Sequence, residues 1–112
     1  MRESQPLPPA AFFVLFALAG GDKHGYAIMQ ESRTLSDGQF EMGPATLYTT
    51  IQRLLKSGLI GEVPGPKGSD SRRRFCRISR QGRSALNLEL ARMDAVVRKS
   101  KTMKLRPAES RS

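Results

Sequence analysis

One cysteine, one histidine and no tryptophan stand in a chain of 112 residues, and each scarcity closes off a class of function. A lone Cys76 cannot build an internal disulfide framework, which fits a reducing compartment and a cytoplasmic protein. With His24 as the single imidazole there is no side-chain cluster for an ordinary zinc site, and no metal or cofactor is expected. The apolar run from Ala10 to Ala19 is too short to cross a bilayer, and Pro8-Pro9 precede it where a targeting leader would carry basic residues. The sequence also lacks a Gly-rich phosphate loop, a nucleophile with a base nearby, and paired carboxylates. Its ten acidic residues are scattered, so no enzyme is expected.

What the sequence has is basic charge, unevenly placed. Residues 1–66 carry five basic and six acidic side chains, a net of −1, whereas residues 67–112 carry fourteen and four, a net of +10. Such a half attracts a polyanion. Nucleic acid fits better than a membrane surface, because no broad exposed apolar face or anchor accompanies the charge. At this length, with 38% hydrophobic residues, one domain with a modest core is expected.

Spacing and punctuation divide the chain. Residues 1–8 read as a flexible polar arm. Pro8-Pro9 open a first helix that runs to Ala19 and stops at Gly20-Gly21. It is apolar nearly all round, so part of it is expected to meet a second copy of the chain. Asp22 to Leu35 reads as a second helix with Asp22 as its cap and Tyr26 packed in the core or an interface. Gly43-Pro44 introduce a third helix, whose Leu47, Ile51, Leu54 and Leu55 line one face before Gly58 ends it. Leu59 to Val63 and Arg74 to Ile78 are short strands joined by a turn-rich basic loop, a hairpin. Ser79 caps a last helix in which Leu86, Leu90, Met93 and Val97 form a heptad seam. Residues 101–112 read as a basic disordered tail. The fold class is mainly α with a small β-hairpin: a winged helix-turn-helix over 9–78 and a C-terminal dimerisation helix over 79–100.

The third helix turns Thr46, Thr49, Gln52, Arg53 and Lys56 away from its apolar face, donors and short hydroxyls suited to phosphates and base edges, and Pro44 at its start is placed with them at the DNA interface. An ordinary solvated face is the competing reading of that stripe. Tyr48 serves either as a hydroxyl donor to phosphate or as a ring packed on the second helix. Lys67, Arg72, Arg73 and Arg74 in the hairpin loop can neutralise a sugar-phosphate backbone, or simply keep the surface soluble. His24 is read as a capping residue and Cys76 as buried filler, with pH or redox sensing as the alternatives.

The segments His24-Gly25-Tyr26-Ala27-Ile28, Pro44-Ala45-Thr46-Leu47-Tyr48, Arg53-Leu54 and Gly58-Leu59-Ile60, then Asp70 with Arg72-Arg73-Arg74 and Ile78-Ser79 before Gly82, resemble the PadR family of bacterial transcriptional regulators. The likeness covers roughly residues 9–98, and its ordered combination is more specific than any segment alone. It implies a winged-helix homodimer that represses transcription from a palindromic operator, with the third helix in the major groove and the wing along the backbone. Thr46 and Tyr48 would then face DNA. The first and last helices would supply the dimer interface, here Phe12, Phe13 and Phe16 with Leu86, Leu90, Met93 and Val97. The short last helix matches the compact branch of the family, which often binds planar aromatic molecules at that interface. Without tryptophan, Phe12, Phe13, Phe16 and Met93 are the candidate walls for such an effector. This sequence departs from the family at Phe75-Cys76, where paired aromatics are frequent. Two rival readings are a nucleic-acid-binding protein without sequence preference, and a protein or small-molecule interaction module without DNA readout.

Overall fold

The computed structural model describes residues 5–70 and 72–105. Residues 1–4 of the expected arm, Ser71 of the hairpin loop and residues 106–112 of the expected tail lie outside the described residues. The elements run α1 (Pro9–Ala19), β1 (Lys23–His24), α2 (Gly25–Leu35), α3 (Pro44–Lys56), β2 (Ile60–Val63), β3 (Phe75–Ile78) and α4 (Arg80–Lys101).

Helix α1 is the centre of the molecule. Its all-round apolarity, from which contact with a second copy was expected, is met largely within one chain, because α2, α3, α4 and β3 all pack on it. Ala11, Phe12, Val14, Leu15, Ala17 and Leu18 are buried there, and Phe13 stacks on Phe40 at 5.1 Å between ring centroids. Leu7, assigned to the free arm, instead packs against the core. Its N–H donates to Glu89 Oε1 at 3.3 Å, and that buried carboxylate also pairs with Arg92 at 3.1 Å.

The helix expected from Asp22 begins later. Lys23 and His24 form a short strand that pairs antiparallel with β3, Lys23 opposite Cys76 and His24 opposite Phe75. His24, not Asp22, caps α2. The reason is a competing partner: the Arg77 guanidinium grips the Asp22 carboxylate in a fork, Nη2 to Oδ2 at 2.8 Å and Nε to Oδ1 at 3.0 Å. The expected hairpin is therefore part of a three-stranded antiparallel sheet of order β1-β3-β2, with Ile60 opposite Ile78 and Val63 opposite Phe75. Arg77 holds the Asp22 carboxyl below its ordinary 3.8. The tie's stabilisation is thus present above 3.8 and lost as the pH falls through the folded-state value. Asp22→Asn should lower the melting temperature by about 3 °C at neutral pH, since an exposed, solvent-screened pair contributes little. In a thermal-melt series, its gap from the parent should close in acid.

Helix α3 starts behind Gly43 with Pro44 in its first turn and buries Leu47 and Leu54. Its end is closed by two backbone bonds, Gly58 N–H to Leu55 O at 3.1 Å and Leu59 N–H to Leu54 O at 3.0 Å. That geometry needs the left-handed Gly58, φ 79°. Ser79 then ties the sheet to α4. Its Oγ accepts from the Gly82 N–H at 3.0 Å and donates to Gly58 O at 2.7 Å. Along α4, Leu86 and Glu89 are buried and Leu90 is half-buried against the core. Met93, Val96 and Val97 are exposed. Among the described residues, no helix is long and apolar enough to cross a membrane.

Candidate nucleic-acid interface

Burying Leu47 and Leu54 fixes the rotation of α3, and everything on the opposite side is left to solvent. Pro44, Thr46, Tyr48, Thr49, Gln52, Arg53 and Lys56 are all exposed. Tyr48, for which packing against α2 was one alternative, is 66% exposed. Its ring sits one position past Leu47, about 100° around the helix from the buried face. Tyr26, expected in the core or an interface, is likewise 62% exposed in this chain. Ile28 and Ser32 form the buried stripe of α2, and Tyr26 lies two positions before Ile28, on the far side.

The wing brings Arg73 and Arg74 to the same side. His24, Tyr26, Tyr48, Gln52, Arg73 and Arg74 line one open concavity of about 540 Å³ between α2, α3 and the sheet, with Glu62 and Cys76 also on its wall. Thr49, Gln52, Arg53 and Lys56 continue this surface along α3. Lys67 and Arg72 are exposed in the wing loop and lie outside the concavity, Arg72 on a separate face of the loop with Asp70.

None of the three wing arginines stands alone. Arg72 pairs with Asp70 at 3.3 Å, Arg74 with Glu62 at 3.2 Å, and Arg73 Nη1 lies 2.7 Å from His24 Nε2. The backbone N–H and guanidinium of Arg72 hold the Asp70 carboxyl below its ordinary value. Burial, then the Arg73 charge, holds His24 below 6.5, and so neutral near pH 7. Burial and Glu62 push the Cys76 thiol up. A buried thiol disfavoured as thiolate is a poor redox sensor, which leaves Cys76 as packing.

The residues expected between two copies divide. Phe12 and Leu86 are buried in the chain's own core. This corrects the expectation for both, since α1 is enclosed by its own chain and α4 lies across it. Phe13, Phe16 and Leu90 are half-buried against the core, whereas Met93 and Val97 are 41% and 49% exposed. Of the candidate effector walls, Phe13, Phe16 and Met93 thus retain accessible surface.

Sequence reasoning gave three residues no part in holding the wing arginines. Glu62 and Asp70 occupy the wing arginines, and His24 reaches Arg73 across 49 positions. Nothing local announces that contact, because β1 is two residues long and carries no periodicity.

Comparison with known proteins agrees with this geometry. The model of the transcriptional regulator PadR-like family matches residues 14–88. A curated relative, an uncharacterised protein of Lysinibacillus sphaericus, is 33% identical over 66 residues, which is 59% of this chain and 61% of that protein. The chain thus matches less than two thirds of that relative's length. A transcriptional regulator from Clostridium thermocellum shares the fold at TM-score 0.69 and 25% identity, over 87% of this chain and 90% of the other. A PadR family regulator from Clostridium difficile does so at 0.71 and 16%, over 86% and 98%. Bacillus subtilis PadR in complex with operator DNA gives 0.59 and 14%, over 91% and 51%. With the family's profile running from α1 into α4, the chain belongs to the PadR-like family of transcriptional regulators.

Proposed function

We propose that this regulator binds double-stranded DNA as a homodimer, reads a palindromic operator with α3, and represses the genes behind it. The observation that carries the reading is the shared opening of two elements. The exposed polar face of α3 and Arg73 and Arg74 of the wing line one concavity, so a duplex lying in it meets side chains that read bases and side chains that grip phosphates together. The solved complex of Bacillus subtilis PadR with operator DNA supports the same partner. On this reading the expected spans keep their roles: 9–78 binds DNA and 79–100 dimerises.

The homodimer is supported by the seam on α4. It lies within the core at Leu86, reaches the edge at Leu90, and continues uncovered through Met93 and Val97. Leu90→Asp would strike the seam and the chain's own core together, so Val97→Asp is the cleaner variant. A charge forced into the apolar contact should weaken dimerisation at least a hundredfold, about 3 kcal/mol, while the fold survives. Sedimentation showing an intact dimer would remove this face from the interface.

The test of the function is selection from a random double-stranded DNA pool at near-physiological salt with excess competitor. An inverted repeat with half-sites about one helical turn apart is the expected result. Retention without a motif would sink the regulator of a palindromic operator and leave a basic nucleic-acid-binding protein.

A further inference from the structure

Resting on the DNA-binding reading above, we propose that His24 is a proton-linked latch for the wing: neutral, it holds Arg73, and protonated, it releases Arg73 to a DNA phosphate. The argument starts from lone pairs. A neutral imidazole has one ring nitrogen that accepts and one that donates. Here both nitrogens face donors. The Ala27 N–H points at Nδ1 from 3.4 Å, and the Arg73 guanidinium, which can only donate, meets Nε2 at 2.7 Å. One lone pair serves two donors. The shorter contact to the charged donor takes it, which places the ring proton on Nδ1, and in that tautomer the ring does not accept the Ala27 N–H.

The ring is fixed in this position. It stands edge-on to Phe75 with centroids 5.3 Å apart, on a strand whose backbone pairs with β3 at that same residue. The charged and titratable groups around it are Asp22 and Lys23 on its own segment, Arg73 and Arg74 in the wing loop, Cys76 on β3, Glu62 on β2, Tyr26 on α2 and Tyr48 on α3. Asp22 is held by Arg77 and Glu62 by Arg74. Lys23 Nζ is taken up by the Ala17 and Gly21 carbonyls, so the charge in contact with the ring is that of Arg73.

A bound polyanion reverses the balance. When a phosphate draws Arg73 off Nε2, a positive neighbour is replaced by a negative one, and both changes favour the imidazolium. An imidazolium in turn has no lone pair with which to hold Arg73. DNA binding and proton uptake at His24 are thus coupled, and reciprocally so. Folding alone works the other way. Because burial and Arg73 lower the folded-state value, stability is intact above 6.5 and falls as the pH drops from 6.5 through that value. Affinity for DNA should therefore rise over a range in which stability declines.

Two measurements test the latch. His24 is the single histidine, so proton NMR follows its titration without overlap in the free protein. Arg73→Ala should move the midpoint upward, and an unchanged midpoint overturns the latch whatever happens with DNA. Binding of a random-sequence duplex is then measured at constant salt from a pH unit above to a unit below 6.5. Affinity should rise by up to about tenfold per pH unit for one proton taken up, with the rise absent in His24→Gln. If His24→Gln fails to fold, Arg73→Ala serves in its place, since it too lacks the latch. Parent protein that binds at every pH without a slope, or variants that keep the slope, overturn the proposal. Parent protein that binds no duplex at any pH overturns the DNA reading itself, and the latch with it.

Discussion

Gly82→Ala should unfold much of the population at temperatures where the parent is intact. A Cβ built on Gly82 would stand 2.1 Å from the Leu59 carbonyl oxygen, 3.1 Å from its carbon and 2.8 Å from Ile78 Cγ1. Two of those three atoms are backbone and cannot rotate away. The same carbonyl accepts the Ser79 N–H at 3.0 Å, and the Gly82 N–H is held by Ser79 Oγ. Relieving the clash therefore means lifting the first turn of α4 off the Leu59 backbone at the entry to β2, with loss of the cap and of the bonds that tie α4 to it. Overpacking of this kind, compounded by a lost cap, should cost about 3 kcal/mol or more. For a domain of this size that is a fall of roughly 15 °C in melting temperature. Ser79→Ala removes the cap without the clash and should cost about 1 kcal/mol. Equal melting temperatures for the two variants would show that the close approach at Leu59 is not tight in solution.

Gly82 also shows what a sequence can and cannot disclose. Its neighbour Ser79 is legible as a cap from type and position alone, and so are Pro9, Gly58 and the apolar spacing of α3, because caps, turns and periodicity act within a few residues. The close approach of Gly82 to Leu59 depends on two segments meeting across the fold, and a single glycine near a helix start does not report it. The site divides the same way. The exposure of Thr46, Gln52 and Arg53 follows once Leu47 and Leu54 are known to point inward. Tyr26 stands outside the core, because a tyrosine two positions before Ile28 lies opposite it in a helix, and its exposure within one chain bears on the core reading alone. In α1 the apolar surface is taken up largely by four elements of its own chain, a closure that spacing within one helix does not disclose.

Removing the wing arginines together, Arg72→Ala with Arg73→Ala and Arg74→Ala, should give the largest functional loss of any surface change. Each phosphate contact contributes about 0.9 to the slope of log affinity against log salt. Three lost contacts should then flatten the slope by about 2 to 3 units per protomer, and lower affinity for every duplex by at least about a hundredfold near physiological salt. The loss falls short of that for three free cations, because each arginine already has a partner to leave: Asp70, His24 and Glu62 respectively. These partners predict an effect of opposite sign. Glu62→Gln removes the carboxylate from Arg74 without touching the guanidinium, and should raise affinity by a few-fold and steepen the slope, as an ion pair no longer has to be exchanged for the phosphate. The triple variant should leave α3 exposed and the preference among sequences intact, since phosphate contacts fix register and base edges carry the information. A variant that kept its salt slope would take the wing out of the DNA interface. One that lost its sequence preference along with its affinity would mean that the wing sets how α3 enters the groove, beyond neutralising the backbone beside it.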